Sequence, residues 1–359
     1  MDVAERPKHL PRIQALAAVG QCRLMSLWDS LFGHLHIPVA QVLLTRNDIA
    51  DRTQYLNAQN TFSELLSMDV IPIVNENDTL SVAEIKFGDN DTLSAITAAM
   101  VQADYLFLMT DVDCLYTANP RRDPNAKPIE VISDIATLVA DVSTAGSSLG
   151  TGGMSTKIVA AKLATSAGVM TVITKSSKPG NVHEIVTYLQ KIRIESDATK
   201  SFPQPPLHTR FLPSATPIRS RSFWLLHGLC PHGTVYIDQG AYNALQNKAS
   251  LFPAGVIGVE GQFAQQEAVR LVVVEKRSPS ALNGDFLHHG DEPKEVGRAL
   301  VNYGSSEITR IKGVRSTHIQ SILGYADSQY IALRENIAFF PASERASPPA
   351  TPAFNERKT

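Results

Sequence analysis

The sequence has few of the features that mark membrane, secreted or zinc-bound proteins. No apolar run reaches the roughly 18 residues that a membrane-spanning helix needs. Only three cysteines occur, Cys22, Cys114 and Cys230, and they lie far apart with no CxxC pair. A disulfide scaffold or a zinc ribbon is therefore disfavoured, and a reducing compartment is indicated. The first residues also lack the apolar segment of a signal peptide, so we expect a cytoplasmic protein without a membrane partner.

The charge of the chain is nearly balanced, with a formal net charge of −2. The global basic field that indicates nucleic-acid binding is absent, and so is the acidic excess of a disordered chain. Apolar residues make up 43% of the 359 residues and charged residues 19%, which are ordinary values for a globular protein. This length allows two domains and a well-buried core.

Apolar runs of strand length alternate with helical patterns over the first half of the chain. Residues 70–74 and 105–110 are two such runs, and residues 170–174 form a third. Strands without polar alternation that are separated by helices indicate a parallel sheet covered on both faces. We therefore predict an α/β domain over residues 1–190.

The second half of the chain changes character. Residues 191–217 hold several prolines and show no strong period, which predicts a linker. Short strands and turns dominate residues 218–340 and predict a small, mostly β domain with a polar loop at 276–294. Residues 341–359 have the Pro, Ser and Ala content of a disordered tail.

The stretch at residues 70–95 carries the strongest sign of a binding site, because its apolar strand is followed by two clusters of acidic and amide residues. The first cluster is Asn75, Glu76, Asn77 and Asp78, and the second is Asp89, Asn90 and Asp91. Burying unpaired carboxylates is costly, so these clusters make sense if a metal, an ammonium group or a hydroxyl-rich ligand binds them. An EF-hand is excluded, because positions six and twelve counted from Asp89 are Ser94 and Met100.

A glycine-rich segment at residues 146–157 is the candidate phosphate site. It leads into a helix whose first turn carries Ser155, Thr156 and Lys157. Glycines allow close backbone approach, and helix N-terminal amides together with a lysine favour an anion. The segment is not a Walker A loop, since Gly-Lys-Ser/Thr never occurs in the chain. A flexible loop with an ordinary serine cap is the alternative, and the embedded GxSxG lacks the preceding strand of a hydrolase elbow.

Thr110 and Asp111 end another apolar strand. Ligands of open α/β sheets bind at the carboxyl ends of strands, which predicts that these two residues and the cluster at 75–78 face a ligand. A simple turn or helix cap is the alternative for Asp111. The histidines have no partners at zinc spacing, so we predict no metal held by the protein alone.

Eight segments of the chain match, in order, the motifs of one known family. They are LAAVGQCR at 16–23, LLTR at 43–46, VNEND at 74–78, EIKFGDND at 84–91, Thr110-Asp111, LYTANP at 115–120, GTGGMSTK at 150–157 and SKPG at 177–180. Together they resemble the glutamate 5-kinase family. The second half, with GTVYIDQG at 233–240 and ILGY at 322–325, resembles the PUA domain that often follows this kinase.

The resemblance implies a fold and a reaction. The fold would be an amino-acid-kinase-like parallel-sheet α/β sandwich, followed by the small mostly β PUA-like domain. The reaction would be the ATP-dependent phosphorylation of the γ-carboxylate of L-glutamate, the first step of proline biosynthesis, with Mg²⁺ as cofactor. Alternatives are another carboxylate kinase of the same fold, such as an acetylglutamate or aspartate kinase, or a catalytically impaired form that binds a ligand or RNA.

The resemblance also assigns roles to residues. Asp78 and Asn90 would bind glutamate, with Asn75, Asn77 and Asp89 beside them. ATP would contact Thr110, Asp111, Thr151, Gly152, Gly153, Met154, Ser155, Thr156 and Lys157. Lys157 would stabilise charge on the transferring phosphoryl group, and Asp91 would orient Lys157 or help the magnesium site.

One departure from the family pattern concerns the start of the sequence. The family begins with a strand that leads into a Lys-x-Gly-Thr/Ser-Ser phosphate loop, followed by a Ser-Gly loop that contacts substrate, and neither occurs here. We therefore expect an N-terminally incomplete kinase domain that lacks roughly two βα units. As partners we expect L-glutamate, ATP and further copies of the chain, together with a weak RNA contact through the PUA-like domain.

Overall fold

The computed structural model describes residues 7, 9–81, 89–118, 123, 125–135, 153–194, 203–274 and 295–341. The chain divides into two compact units, Met1–Ser220 and Arg221–Thr359. Three sequence predictions lie outside the described residues, namely the glycine-rich residues 146–152, the loop at 276–294 and the tail after Pro341.

The first unit alternates helices and strands. Its elements are α1 (Leu10–Gly33), β1 (Val39–Leu44), α2 (Arg46–Ala50), α3 (Arg52–Ser67), β2 (Ile71–Glu76), α4 (Asn90–Met100), β3 (Tyr105–Thr110), β4 (Leu115–Tyr116), β5 (Pro128–Ile129), β6 (Val131–Ile132), α5 (Met154–Ser166), β7 (Met170–Lys175), α6 (Asn181–Ile194) and β8 (Thr209–Phe211). The three apolar runs chosen from the sequence thus form β2, β3 and β7.

The strands of this unit pair mostly in parallel, as the sequence predicts. β1 pairs with β2 and β3 pairs with β7, both in parallel. β8 joins β7 in the antiparallel direction and pairs in parallel with β6, which gives the strand order β3-β7-β8-β6. β4 and β5 form a separate antiparallel pair. The architecture is therefore α/β with a mixed sheet rather than a wholly parallel one.

The linker prediction for residues 191–217 was wrong in two places. α6 continues to Ile194, and Thr209–Phe211 form β8 inside the sheet. Phe211 is fully buried against the core of the first unit. The strand was not predicted because three residues are too few to show a hydrophobic period. The prolines on both sides suggested a linker, although proline is tolerated just outside the hydrogen-bonded part of a strand.

Small side chains bring α4 and α5 together over the sheet. The buried alanines at this contact are Ala95 and Ala98 of α4 and Ala160, Ala161 and Ala164 of α5. They pack with Leu108 of β3 and Ile173 of β7. Because alanine has the shortest apolar side chain, the two helix axes can approach closely. This packing sets the first turns of α4 and α5 beside one another.

The first helix is unusual in burying no residue completely. α1 is 24 residues long, and it exposes Val19, Leu27, Trp28 and Leu31. An exposed apolar stripe of this size on a helix is a candidate contact surface. In the described ranges, no helix is both long and apolar enough to cross a lipid bilayer.

The second unit is a small domain built mainly of β-strands, as predicted. Its elements are α7 (Ser220–Phe223), a π-helical turn at Trp224–Gly228, β9 (Gly233–Ile237), α8 (Gln239–Gln246), β10 (Val256–Gly261), β11 (Ala268–Val273), β12 (Glu295–Leu300), α9 (Ser305–Ile311), α10 (Ile319–Leu323) and β13 (Ile337–Phe339). The strands follow the order β10-β9-β11-β12-β13, and among these five described strands only β9 and β11 pair in parallel. α8, α9 and α10 close one core against this sheet.

Burial of His208, next to β8, links the stability of the first unit to pH. The residue is only 6% exposed, and its Nδ1 lies 2.7 Å from the carbonyl oxygen of Pro206. Burial lowers the pKa of His208 below its ordinary value of 6.5. The imidazole of His208 therefore binds a proton more readily in the unfolded chain than in the folded chain. This stabilisation is complete above the unfolded pKa and is lost as the pH falls towards the folded pKa.

We expect the free energy of unfolding to decrease between about pH 7 and pH 5, and to decrease less in His208→Asn. Asparagine keeps an amide donor for Pro206 but does not titrate. Urea denaturation at each pH measures the slope. His183→Asn, at an exposed position of α6, is the control and should keep the original slope. A slope unchanged by His208→Asn would contradict this account.

Candidate active site

An ion pair joins the first turns of α4 and α5. Nζ of Lys157 lies 3.0 Å from Oδ2 and 3.2 Å from Oδ1 of Asp91. The side chains of Lys157 and Asp91 are only 13% and 17% exposed. Water screens such a pair weakly, so its attraction exceeds that of an ordinary surface pair. The cation is thereby held at a defined position between two helix N-termini.

Thr156 connects the same carboxylate to the backbone of α5. Its hydroxyl donates to Oδ2 of Asp91 at 2.8 Å and accepts from the backbone N–H of Gly153 at 3.0 Å. Gly153 is the N-cap of α5. The free N–H groups at a helix start attract anions, and α4 and α5 both begin here. The arrangement combines one lysine and two helix N-termini around one carboxylate.

β3 and β7 end side by side at a second polar group. Thr110 lies opposite Lys175 in the ladder, and its carbonyl accepts the N–H of Ser176 at 2.7 Å. The hydroxyl of Thr110 donates to Oδ1 of Asp111 at 3.3 Å. Nζ of Lys175 lies 3.3 Å from Oδ2 of Asp113, and both side chains are about one-third exposed. A second cation therefore stands beside the two residues predicted to contact ATP.

The first acid and amide cluster lies at the carboxyl end of β2, where Asn75 and Glu76 are the last two residues of the strand. Nδ2 of Asn75 donates to Oε1 of Gln21 at 3.1 Å, and Oδ1 of Asn75 accepts the N–H of Glu76 at 2.9 Å. The N–H of Asn77 donates to the carbonyl of Leu44 at 2.9 Å. Asp78 follows within the same turn, its N–H donating to the carbonyl of residue 76. The cluster is thus anchored to β1, β2 and α1.

The second cluster starts α4. Asp89 is the N-cap, and its Oδ1 accepts the N–H of Thr92 at 2.6 Å. Asn90 and Asp91 are the first two helical residues. One carboxylate oxygen of Asp89 therefore caps α4. The expected contact between Asp89 and an ammonium group stays a prediction.

The structure brings some of the predicted site residues together and leaves others apart. Asp91, Thr156 and Lys157 meet, although about 65 positions separate them in the chain. Within the described residues, no hydrogen bond or ion pair joins Asn75 or Asn77 to Lys157. Gly153, Met154 and Ser155 begin α5, whereas Thr151 and Gly152 lie outside the described residues.

Two residues of this region were missed from the sequence. Lys175 ends the apolar strand β7 just as Thr110 ends β3, so the same strand-end rule applied to it. Gln21 gives no such signal, because it is one polar residue on a partly apolar helix. Its contact with Asn75 depends on tertiary packing across 54 positions.

The carboxylates of the site suit a metal ion that is bound jointly by the protein and the substrate better than one held by protein side chains alone. The described part of the chain holds no group of three or more His, Cys, Asp or Glu side chains arranged for a metal ion. Both oxygens of Asp91 are already within reach of Lys157. Magnesium commonly binds through one or two carboxylates, water and the phosphates of its substrate. Such a sparse donor set fits these residues.

Comparison with known proteins identifies the class of each unit. Residues 1–176 match the amino acid kinase family, and residues 233–323 match the PUA domain. The first unit is therefore an amino acid kinase domain, and the second contains a PUA domain.

Curated relatives narrow this class. The probable glutamate 5-kinase of Schizosaccharomyces pombe is 53% identical over 338 residues, which cover 93% of this chain and 78% of that protein. Glutamate 5-kinases of Cyanothece sp. and Synechococcus elongatus are 46% and 45% identical, over 94% of this chain and 83% of each relative. The chain belongs to the glutamate 5-kinase family, and the resemblance seen in its motifs is confirmed.

Loss of either charge at the α4–α5 contact should destabilise the first unit. We expect Asp91→Asn and Lys157→Met each to lower the free energy of unfolding by about 1.5–3 kcal/mol, the range for hydrogen bonds to charged groups. In the double variant the two losses should not add, because both remove one interaction. Urea denaturation of all four proteins measures the coupling. Asp113→Asn, from the more exposed pair, should change stability by less than about 1 kcal/mol. If the losses of the two single variants simply added in the double variant, Asp91 and Lys157 would not be energetically coupled, and the ion pair would not stabilise the first unit.

Proposed function

We propose that the chain acts as a glutamate 5-kinase, which transfers the γ-phosphoryl group of ATP to the γ-carboxylate of L-glutamate. The products are ADP and glutamyl 5-phosphate, the first intermediate of proline biosynthesis. The observation that carries the proposal is the cluster of Asp91, Thr156 and Lys157 at two helix N-termini. Membership of the glutamate 5-kinase family supports it independently.

The chemistry of the reaction fits a site without a general base. An oxygen of the γ-carboxylate forms a bond to the γ-phosphorus while the bond from that phosphorus to the bridging oxygen breaks, and ADP leaves. A glutamate carboxyl is already ionised near neutral pH, since its ordinary pKa is about 4.3, so no proton need be removed. The protein must instead position two anions and offset their charge. Lys157, held by Asp91, provides this positive charge.

The nucleotide would lie along the ends of β3 and β7 and the start of α5. Thr110 and Asp111 lie at that strand end, and the N-terminal amides of α5 suit phosphate oxygens. The residues assigned to ATP at this helix are Gly153, Met154, Ser155, Thr156 and Lys157, with Thr151 and Gly152 before them. Mg²⁺ would enter on the phosphates of ATP and offset part of their charge.

Glutamate would bind at the two acid and amide clusters. Amide groups of Asn75, Asn77 and Asn90 can donate to carboxylates, whereas Asp78 and Asp89 can accept from the ammonium group. The same chemistry suits other acidic amino acids, so a different carboxylate kinase is the second candidate.

We infer a cytoplasmic location from the cysteines, because Cys22, Cys114 and Cys230 are all free. An RNA contact through the PUA domain stays a prediction.

Removal of the Lys157 ammonium group should abolish most turnover without unfolding the chain. We expect Lys157→Ala to lower kcat for ADP formation from ATP and glutamate by about 100-fold or more, because lost stabilisation of developing charge acts on the transition state. Lys162→Ala, on the same helix, is the control and should keep the original kcat.

Two outcomes would contradict the proposal in different ways. An unchanged kcat in Lys157→Ala would show that this lysine does not stabilise the transition state. If the unaltered chain turned over aspartate or N-acetylglutamate faster than glutamate, glutamate would not be the preferred substrate. Circular dichroism of each variant shows whether the fold is kept.

We also propose that copies of the chain associate through α1. Its exposed apolar residues include Leu27 and Leu31, which are 54% and 51% exposed and lie one turn apart. Burying such side chains against a second copy would remove apolar surface from water.

A glutamate at both apolar positions should break this association. We expect Leu27→Glu with Leu31→Glu to lower the molar mass measured by light scattering to that of one chain. Asp29→Lys changes charge on the opposite side of the helix and should leave the mass unchanged. A monomeric unaltered chain, or an oligomeric double variant, would contradict the contact.

A further inference from the structure

Two side-chain amides between β2 and α1 form a hydrogen-bonded chain with a fixed direction. The backbone N–H of Glu76 can only donate, and its nitrogen lies 2.9 Å from Oδ1 of Asn75. Nδ2 of Asn75 therefore faces Gln21 and donates to its Oε1 at 3.1 Å. A flip of either amide would set two donors against each other. The order of donors and acceptors thus follows from one backbone group.

This order leaves the amide nitrogen of Gln21 at the end of the chain. Nε2 of Gln21 is buried, and among the described residues it has no hydrogen-bond partner. Buried donors are rarely left unpaired in native proteins, because they lose their water without regaining a bond. An acceptor atom supplied by a bound ligand would satisfy this donor.

A second glutamine on α1 shows that the helix can satisfy such a group. Gln14 lies seven positions earlier and hence on the same face of α1. Its Nε2 donates to the carbonyl oxygen of Ser81 at 3.2 Å. Ser81 is fully buried, and its hydroxyl donates to Oε1 of Glu76 at 2.9 Å. α1 is therefore anchored on this side, and Gln21 is held beside the amide cluster.

We propose that Gln21 is a substrate-binding residue whose Nε2–H donates to a carboxylate of the amino-acid substrate. This inference rests on the proposed function. A carboxylate fits because an ionised acceptor forms a stronger hydrogen bond with a buried donor than a neutral one does. The place fits because Oε1 of the same side chain holds Asn75, a member of the predicted glutamate site. Gln21 thus contacts the substrate and also orients a neighbouring residue that binds it.

Variants of Gln21 separate these two tasks. Gln21→Glu keeps an oxygen to accept from Asn75, but it replaces the donor by a negative charge that repels a carboxylate. Gln21→Met removes both contacts at similar volume. We expect the KM for glutamate to rise about tenfold or more in both variants, because each loses a hydrogen bond to a charged group. The KM for ATP should stay within about twofold. Gln14→Met is the matched control and should keep both KM values.

Thermal unfolding with each ligand shows that the variants are folded. ATP should raise the Tm of Gln21→Met as it does for the unaltered chain, whereas the rise with glutamate should be smaller. If the unaltered chain neither uses nor binds glutamate, the proposed function and this inference fall together. If the unaltered chain uses glutamate and Gln21→Glu keeps its KM, the inference alone is overturned, and a rise in KM confined to Gln21→Met would show that the side chain only orients Asn75.

Discussion

The ion pair between Asp91 and Lys157 is the constraint on which the rest of the site depends. Asp91 starts α4, Lys157 lies in the first turn of α5, and each helix is fixed on the sheet by buried alanines. The pair therefore joins two elements that the core has already placed. It keeps the ammonium group of Lys157 at the helix N-termini, where we propose that the phosphate groups of ATP bind.

The reaction explains why this site is rich in donors and poor in bases. Glutamate and ATP are both anions, so their approach is opposed by charge, while the nucleophile is ionised in advance. Amides, a lysine and helix N-termini all stabilise negative charge without taking a proton. The aspartates have other tasks, since Asp89 caps α4 and Asp91 holds Lys157.

Sequence patterns predict the elements of this fold better than the contacts between them. β2, β3 and β7 were found because they are buried runs without polar alternation. β8 was missed, because three residues among prolines have no period. Lys157 and Asp91 were both predicted to be site residues, but their pairing, which the structure shows, depends on the packing of α4 against α5. The role proposed for Gln21 could not be predicted from the sequence, because its partner Asn75 becomes a neighbour only when α1 meets β2.

Identification of the product tests the central claim most directly. An acyl phosphate formed on the γ-carboxylate reacts with hydroxylamine, so the chain can be incubated with ATP, Mg²⁺, L-glutamate and hydroxylamine. We predict γ-glutamyl hydroxamate in the same amount as ADP, and both products formed about 100-fold or more slowly when Lys157 is replaced by alanine. ADP without the hydroxamate, or no ADP at all from the unaltered chain, would contradict it.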